Sequence, residues 1–579
     1  MNIKSIAVVF VLGVMLVLML FSAAGDSATM DELAHIPAGF GYVKMHDYRL
    51  NPEHPPLIKA LSAYSAWLFA KPYFPTNTEA WQKDINGQWT QGTIFLYESD
   101  NDADKIIFWS RFPLILLTIF LGGLLFWWTR NKFGENTALL TLILYAFSPT
   151  VLAHGRYVTT DLGASFGFFI GLIAFLKFIE KPVWKNIVLA GLSLGLALLL
   201  KFSLVLLIPV FLAVIFVKSW GVGYKYLFSM AGKTILAGLV AILLVWITYF
   251  FFNYNYPQDR QLSDAKFLLA SHPNKPLAEM DLWLMKNEAT RHLGQYLLGF
   301  LMVSQRAGGG NTGYFLGEVS ASGWRYYFPV LYLLKETLAF HLLTLLAMAL
   351  WLIKILRSKN LKVFKKIGSW ANNINEFSFL ALIIIYWASS MISPLNIGIR
   401  HVLPTFPFIY ILVSKKITEW FRSKNFKVKR IIVAILVAWM VAGTAKSFPG
   451  FLSYYNELAG GTKNGYKIAV DSNYDWGQDL KRLKKFVEQN NIEKIAVDYF
   501  GGGNLQYYLG DKFEPWHSAL GVPTGDQPKW LAVSATFRQG AYGAPVPGFE
   551  RKPEDSYLWL KNYEPVARAG KSIFIYRLP

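Results

Sequence analysis

The feature that most constrains this chain is a succession of apolar runs, each poor in charge and near the ~20 residues a helix needs to cross a hydrocarbon core. About eleven can be marked on that criterion, near 5–23, 107–128, 136–153, 160–179, 186–200, 202–217, 234–252, 331–353, 377–394, 401–415 and 431–448. Lys201 interrupts what would otherwise be one long run. A lysine at mid-bilayer costs a few kcal/mol, so a tight hairpin at the membrane surface is expected there. The apolar stretch 57–70 is interrupted by Lys59 and reads as an interfacial helix. Hydrophobic residues make up 54% and charged residues 16% of the 579 positions, against about 25% charged in a soluble domain. Disordered, collagenous and soluble globular chains are poor fits; a polytopic α-helical membrane protein fits.

Charge placement orients the spans. Lys and Arg number 57 and Asp and Glu 37, a net charge of +20. With the N-terminus in the cytoplasm, the inner loops collect Arg130 and Lys132, Lys181 and Lys185, Lys218, Lys225 and Lys233, and the basic stretches 354–366 and 415–430. These account for most of the excess, as the positive-inside rule expects, so the basic balance marks topology and no nucleic-acid partner is expected. Residues 1–23 also carry the pattern of a signal peptide, Lys4 and an apolar run before Ser22-Ala23-Ala24. Large segments fall on the outer side: 24–105, 253–330 and 449–579. In the last of these, strand-like runs at 467–471, 494–500, 529–537 and 571–577 alternate with helix-like 476–490 and 554–562. The expected domains are therefore a transmembrane module, 1–448, and a C-terminal extracytoplasmic α/β domain, 449–579.

Chemistry-bearing residues gather at the outer ends of the spans. The first outer loop begins Asp26-Ser27-Ala28-Thr29-Met30-Asp31-Glu32-Leu33-Ala34-His35. A helix over Asp31–Gly39, capped by Asp26, Ser27 or Thr29, would put Asp31 and His35 on one face. The plain alternative makes Asp31 and Glu32 early-helix acids favoured by the dipole. His54-Pro55-Pro56-Leu57 is a stiff turn that fixes His54 and Lys59 at the headgroup level. Short outer turns hold His154, Arg156 and Asp161, then Lys201, then Arg400 and His401, with Arg111 at the outer start of the second span. Any one cation could merely snorkel; together they suit an anion such as a lipid phosphate. Asp471, Asn473, Asp475 and Trp476 join a strand to a helix, where ligands often bind in α/β units, although Ser472, Asn473 and Asp475 also suit N-caps. Gly501-Gly502-Gly503 lacks nucleotide-loop spacing, and Gly308-Gly309-Gly310 reads as flexible. There is no cysteine, which excludes disulfides, thiolate metal sites and thiol nucleophiles; no Walker or HExxH motif occurs.

Taken together, the Asp31-Glu32 pair after the first span, the His54-Pro55-Pro56-Leu57 turn with Lys59, and the Arg156…Asp161 loop resemble the GT-C membrane glycosyltransferases. They are most similar to bacterial relatives of the protein O-mannosyltransferases, and more distantly to aminoarabinose transferase. Residues 393–401, 456–461 and 471–479 resemble the same bacterial subgroup. The resemblance covers essentially the whole chain, although the eukaryotic enzymes carry a β-trefoil domain where this chain has a C-terminal α/β region. It implies a GT-C fold and inverting transfer of one sugar, a mannose-like hexose or related, from a polyprenyl-phosphate donor to an acceptor hydroxyl outside the cytoplasm. The acceptor, whether lipid, glycan or protein, is left open. On this resemblance Asp31 matches the catalytic acid, the residue that would take the acceptor proton, and Glu32 its neighbour, with Arg156 and Asp161 in the loop that organises the donor phosphate. Lys59, Arg156, Lys201 and Arg400 are then the expected phosphate ligands; His35, His54, Arg111, His154, Asp161, His401, Asp471, Asn473, Asp475 and Trp476 are expected to support substrate. No cofactor is obligatory, although the acid-rich first loop offers ligands for a divalent ion. A lipid-substrate transporter or flippase is the second reading; it expects ionisable groups mid-span and inverted repeats, and neither is seen.

Overall fold

The computed structural model describes all residues except 1–2, 221, 358–369, 371, 422–425 and 525–526. Much of the basic charge expected in the stretches 354–366 and 415–430 thus lies outside the described residues. Among the described residues, eight helices are long and apolar enough to cross a membrane: Ser5–Ala24, Ala103–Phe133, Thr160–Glu180, Phe202–Trp220, Tyr224–Phe252, Leu338–Leu356, Ile374–Ile392 and Phe426–Lys446. The protein is a multi-pass membrane protein. The remaining three expected runs are also helical but shorter or broken. Run 136–153 splits into Glu135–Ala146 and Pro149–His154, with Ser148 capping the second piece before a proline that suits a first turn. Run 186–200 is Trp184–Leu198, and run 401–415 becomes a 3-10 turn, Ile399–Thr405, leading into Phe406–Phe421. The hairpin at Lys201 is present: the chain leaves helix Trp184–Leu198 and turns through Phe202–Leu206.

The two sets of helix ends segregate as charge placement requires. On one side Lys132 pairs with Glu180 at 2.6 Å, and Lys415 pairs with Glu376. On the other lie the ends near Ala24, Arg111, Thr160, Lys201 and Arg400, and with them the three large loop segments.

The C-terminal segment forms a five-stranded mixed sheet in the order β4-β3-β5-β8-β7, where β3 is Ile495–Asp498, β4 Phe513–Pro515, β5 Trp530–Ser534, β7 Ala567–Ala569 and β8 Ile573–Arg577. Strands β4, β3 and β5 run parallel, while β8 is antiparallel to β5 and β7. The helix Leu480–Gln489 buries Leu480, Leu483 and Val487 against Ile495, Val497 and Ile575. Their i, i+3, i+7 spacing is the amphipathic signal. A second sheet, β1 (Gly313–Phe315), β2 (Glu318–Ser320) and β6 (Ala544–Pro545), stitches the middle outer segment to this region.

Three local expectations change. The run 467–471 is not a strand: it contributes one bridge, Phe315 with Ala469, between short 3-10 turns. The run 554–562 is two 3-10 turns rather than a helix. Gly308 and Gly309 end the helix Arg291–Gly309, and Gly310, at φ 75°, is its C-terminal cap. The triple glycine at 501–503 also has a packing reason. A Cβ on Gly502 would lie 2.2 Å from the carbonyl oxygen of Thr29, so the third outer segment touches the first loop backbone to backbone.

Candidate functional site

The first-loop helix, Met30–Phe40, begins with a reciprocal cap: Glu32 accepts from Thr29 N–H at 2.8 Å and from the Thr29 hydroxyl at 3.0 Å. The other partners of Glu32 lie on neighbouring elements. Arg111 Nε and Nη2 donate to its two oxygens at 2.8 and 2.7 Å, and Val158 N–H donates at 3.1 Å. Both Glu32 and Arg111 are fully buried. Glu32 is therefore a keystone of the loop whose oxygens are occupied, and it does not face an open site as its pairing with Asp31 suggests. Arg111 likewise is spent on Glu32 and on the carbonyls of Ala23, Asp26 and Ser27.

Asp31 sits one position earlier and points elsewhere. Arg400 Nη1 donates to Asp31 Oδ2 at 2.6 Å and lies 3.4 Å from Asp161 Oδ2, while Lys201 Nζ donates to Asp161 Oδ1 at 2.5 Å. Four groups from four separate stretches thus form one alternating cluster. The Asp31 side chain keeps 25% of its exposure, against 7% for Arg400 and 3% for Asp161. Asp31 is the carboxylate of this cluster that solvent or substrate can reach. Burial alone would raise its pKa, but the Arg400 guanidinium, helped by His35, holds the carboxyl below its usual value.

Trp476 fixes the height of Arg400: the guanidinium lies 4.1 Å from the indole centroid, and the ring is 1% exposed. The loop Asp471–Asp479 that carries Trp476 is bonded to the first-loop helix, with Met30 N–H donating to Trp476 C=O at 3.0 Å and Ser27 N–H to Gln478 C=O at 3.1 Å. Asn473, fully buried, accepts from Ile399 N–H at 2.9 Å and donates to the Tyr327 hydroxyl at 2.9 Å, while Lys335 donates to its carbonyl at 2.6 Å. The expected caps are not formed, since the helix that follows starts at Leu480 with Asp479 at its N-cap; the loop instead clamps the Arg400 turn against the Asp31 helix.

Asp471 is held at φ 55° and is half-buried beside Arg400. Burial raises it to about 6 despite Arg400. Asp475 is buried; burial raises it to about 7, with Thr536 N–H as a partner at 2.8 Å.

Two of the four expected phosphate ligands face inward. Lys59 is fully buried and donates to Tyr42 Oη, to Asn51 C=O and Oδ1, and to His54 C=O at 2.7–2.8 Å. Arg156 is fully buried, pairs with Asp26 Oδ2 at 2.7 Å, and donates to the Leu152 and Ala153 carbonyls and the Tyr157 hydroxyl. Both are walls of the loop. The geometry leaves Lys201 and Arg400 for an anion.

The histidines divide similarly. His35 Nδ1 lies 2.7 Å from Val158 O, so it carries the proton there, and the ring meets His54 edge to face at 5.0 Å. Burial, with Lys59 nearby, keeps both rings below the usual imidazole range. His401 stacks on Phe328 at 6.2 Å, and His154 is buried, its ring tilted toward Trp476 at 6.1 Å. Three further first-loop acids are also committed: Asp47 to Arg49, Glu53 to Asn86 and Gln88, Asp26 to Arg156 and Arg482. Among the described residues no three His, Asp or Glu side chains converge as a metal cradle, so the divalent-ion expectation finds no ligand set there.

Sequence reasoning missed Asp26 as an ion-pair centre, and it missed Lys335 and Tyr327 altogether. The Thr29-x-x-Glu32 spacing was a readable capping-box signal; the ion pairs of Asp26 and the hydrogen bonds of Lys335 and Tyr327 to Asn473 and Leu452 bridge residues more than a hundred positions apart and leave no local trace.

Residues 8–258 match the dolichyl-phosphate-mannose-protein mannosyltransferase family. The matched region, less than half of the chain, includes Asp31, Glu32, Lys59, Arg111, Arg156, Asp161 and Lys201, so the resemblance to this mannosyltransferase family holds across the first outer loop and the Arg156…Asp161 turn. It supports a membrane glycosyltransferase. Among solved structures, the oligosaccharyltransferase of Archaeoglobus fulgidus in its apo form is 12% identical, with 93% of this chain and 71% of that one covered, at a TM-score of 0.44. ArnT from Cupriavidus metallidurans is 13% identical, with 98% and 97% covered, at TM-scores of 0.33 in the apo state and 0.32 bound to undecaprenyl phosphate. These likenesses are distant. No curated protein matches the chain.

Proposed function

We propose that this protein transfers one sugar, a mannose-like hexose or related, from a polyprenyl-phosphate-linked donor to an acceptor hydroxyl on the extracytoplasmic face, with inversion. The observation that carries the reading is the Asp31–Arg400–Asp161–Lys201 cluster at the outer ends of the spans, with its reachable carboxylate on Asp31. The name of the matching family, a transferase using a dolichyl-phosphate sugar, agrees with a lipid-phosphate donor.

In this mechanism the acceptor oxygen attacks the anomeric carbon, the bond from that carbon to the phosphate oxygen breaks, and the acceptor proton passes to Asp31. Polyprenyl phosphate leaves with the electron pair of the broken bond. Arg400 and Lys201 stabilise that growing charge. The free protein holds Asp31 in an ion pair, where it is a weak base. A donor phosphate competes for the Arg400 guanidinium, and as Arg400 turns toward phosphate the Asp31 carboxylate loses its counter-ion and gains basicity at the moment it is needed. Asp161, paired to both cations, keeps them in place. The C-terminal segment holds Arg400 through Trp476. The N-terminus lies in the cytoplasm and the α/β domain outside.

The test is incubation of the purified, reconstituted protein with radiolabelled polyprenyl-phosphate sugars and a set of hydroxyl acceptors. The expected result is appearance of label in an acceptor with release of polyprenyl phosphate. Movement of intact labelled lipid between leaflets, with no cleavage, would make the protein a flippase instead.

A further inference from the structure

The middle outer segment holds three helices the catalytic reading does not use: Gln258–Leu268, Lys275–Met285 and Arg291–Gly309. They share a small apolar core of Ala265, Leu269, Ala278, Met285, Leu298 and Leu301. Outside that core, helix Lys275–Met285 leaves Leu277, Met280 and Trp283 exposed by 37%, 44% and 66%, and the neighbouring helix leaves Phe267 exposed by 67%. Lys275 and Glu279 lie on the other flank, since consecutive residues turn by about 100°. An apolar stripe beside a charged flank is the pattern of a helix lying in a membrane interface.

The depth of this unit is set by its root. Trp246 Nε1 donates to Ala289 C=O, in the turn between the second and third helices, at 2.6 Å. Trp246 belongs to the span Tyr224–Phe252, six residues before its outer end, or about 9 Å down the helix axis. The turn therefore hangs below the end of the span, beside the exposed Ile247, Phe250 and Phe251 that this span turns toward lipid. The third helix packs along the same end, with His292 edge-on to Phe250 at 5.0 Å and Tyr296 edge-on to Tyr249 at 5.6 Å. Its far side reaches the site: a Cβ on Gly299 would strike the Pro52 carbonyl at 2.1 Å and the Phe202 ring at 2.6 Å, and Phe202 is next to Lys201.

We propose that residues 258–309 form a monotopic helical unit seated in the outer leaflet, with Leu277, Met280 and Trp283 among the acyl chains, so that lipid rather than water meets the wall beside Lys201. The occupant of the apolar face is the bilayer because the turn that carries this helix is bonded to Trp246 of the span, beside that span's exposed Ile247, Phe250 and Phe251. This inference rests on the membrane-spanning reading and not on sugar transfer.

The chain has no cysteine, so single nitroxide labels can be placed without removing native thiols. Leu277→Cys, Met280→Cys and Trp283→Cys, with Glu279→Cys as the flanking control, are labelled in the full-length protein reconstituted into phosphatidylcholine and phosphatidylglycerol vesicles. Collision with oxygen, which concentrates in the bilayer, is compared with collision with a water-soluble nickel chelate. The expected oxygen-to-nickel ratio at 277, 280 and 283 exceeds that at 279 several-fold. Equal, water-like ratios at all four positions would overturn the proposal by placing the unit in solvent. Protection from both quenchers, dependent on protein concentration, would overturn it in favour of a protein partner. Because the readout is collision and not turnover, a silent transferase leaves it unaffected.

Discussion

At the scale of single residues, the cations of the outer face separate by what they touch. Lys59 and Arg156 are surrounded by protein acceptors and have no exposure, whereas Lys201 and Arg400 meet carboxylates at the edge of an accessible region. Truncating one member of a buried pair strands the other charge, at a cost of about 3–5 kcal/mol. Arg156→Ala is therefore expected to lower the thermal midpoint and folded yield of the detergent-solubilised protein. Lys201→Ala leaves Asp161 with Arg400 3.4 Å away, so its midpoint should fall by less, and it should raise the KM for the lipid donor, by tenfold or more if about 1.4 kcal/mol of phosphate contact is lost. A thermal melt and a donor titration on both variants check the split. The sequence placed all four cations at one face, where the structure also gathers them, but could not rank them, because rank depends on whether a partner such as Asp26, 130 positions away, comes to meet the side chain. Asp31 and Glu32 show the same limit. Adjacent in sequence, they diverge by the ~100° turn between successive helical residues, and only the capping-box spacing hinted which of them was committed to structure.

Single elements add a consequence for pH. Asp281, on the helix Lys275–Met285, faces Arg291–Gly309 with both oxygens buried and the Leu298 backbone nearby. Burial raises its carboxyl to about 8. The folded state then holds a proton that the unfolded chain gives up near its ordinary value of 3.8. Stability is lost as pH rises between those two values, and beyond about 8 the loss is complete. Asp281→Asn should therefore melt higher than the parent protein at pH 7 to 8, with the gap closing toward pH 4; a gap independent of pH would contradict the protonated state. No periodicity in the sequence separates this aspartate from its exposed neighbours. The spans, by contrast, were legible as elements because apolar length is a direct physical requirement of the bilayer. Their interruptions at Ser148 and over the 3-10 turn Ile399–Thr405 were less so, since the broken ends are satisfied by distant contacts such as Asn473 on Ile399.

For the whole molecule, the membrane helices supply Asp161, Lys201 and Arg400 only in combination with two outer segments that hold them in register. Strands β3, β5 and β8 of the C-terminal sheet were visible as β-rich runs, but their consequence for the site was not, because it depends on a backbone contact between Gly502 and Thr29, which no local pattern encodes. Gly502→Val is expected to push the third segment off the first-loop helix and lower kcat by at least about tenfold, the penalty of roughly 1.4 kcal/mol in misplacement, though Gly502 touches no substrate. Gly540→Ala, where a Cβ meets nothing within 4 Å, should leave turnover unchanged.

The central claim is that Asp31 takes the acceptor proton while Arg400 and Lys201 hold the departing phosphate. Its most direct measurement is single-turnover sugar transfer by Asp31→Asn in reconstituted membranes, alongside the binding of the labelled donor. Loss of the base is expected to slow transfer by about 10²–10⁴-fold while donor binding is kept or tightened, because Arg400 no longer has the Asp31 carboxylate competing for it. Transfer at the parental rate with that carboxylate gone would contradict the account.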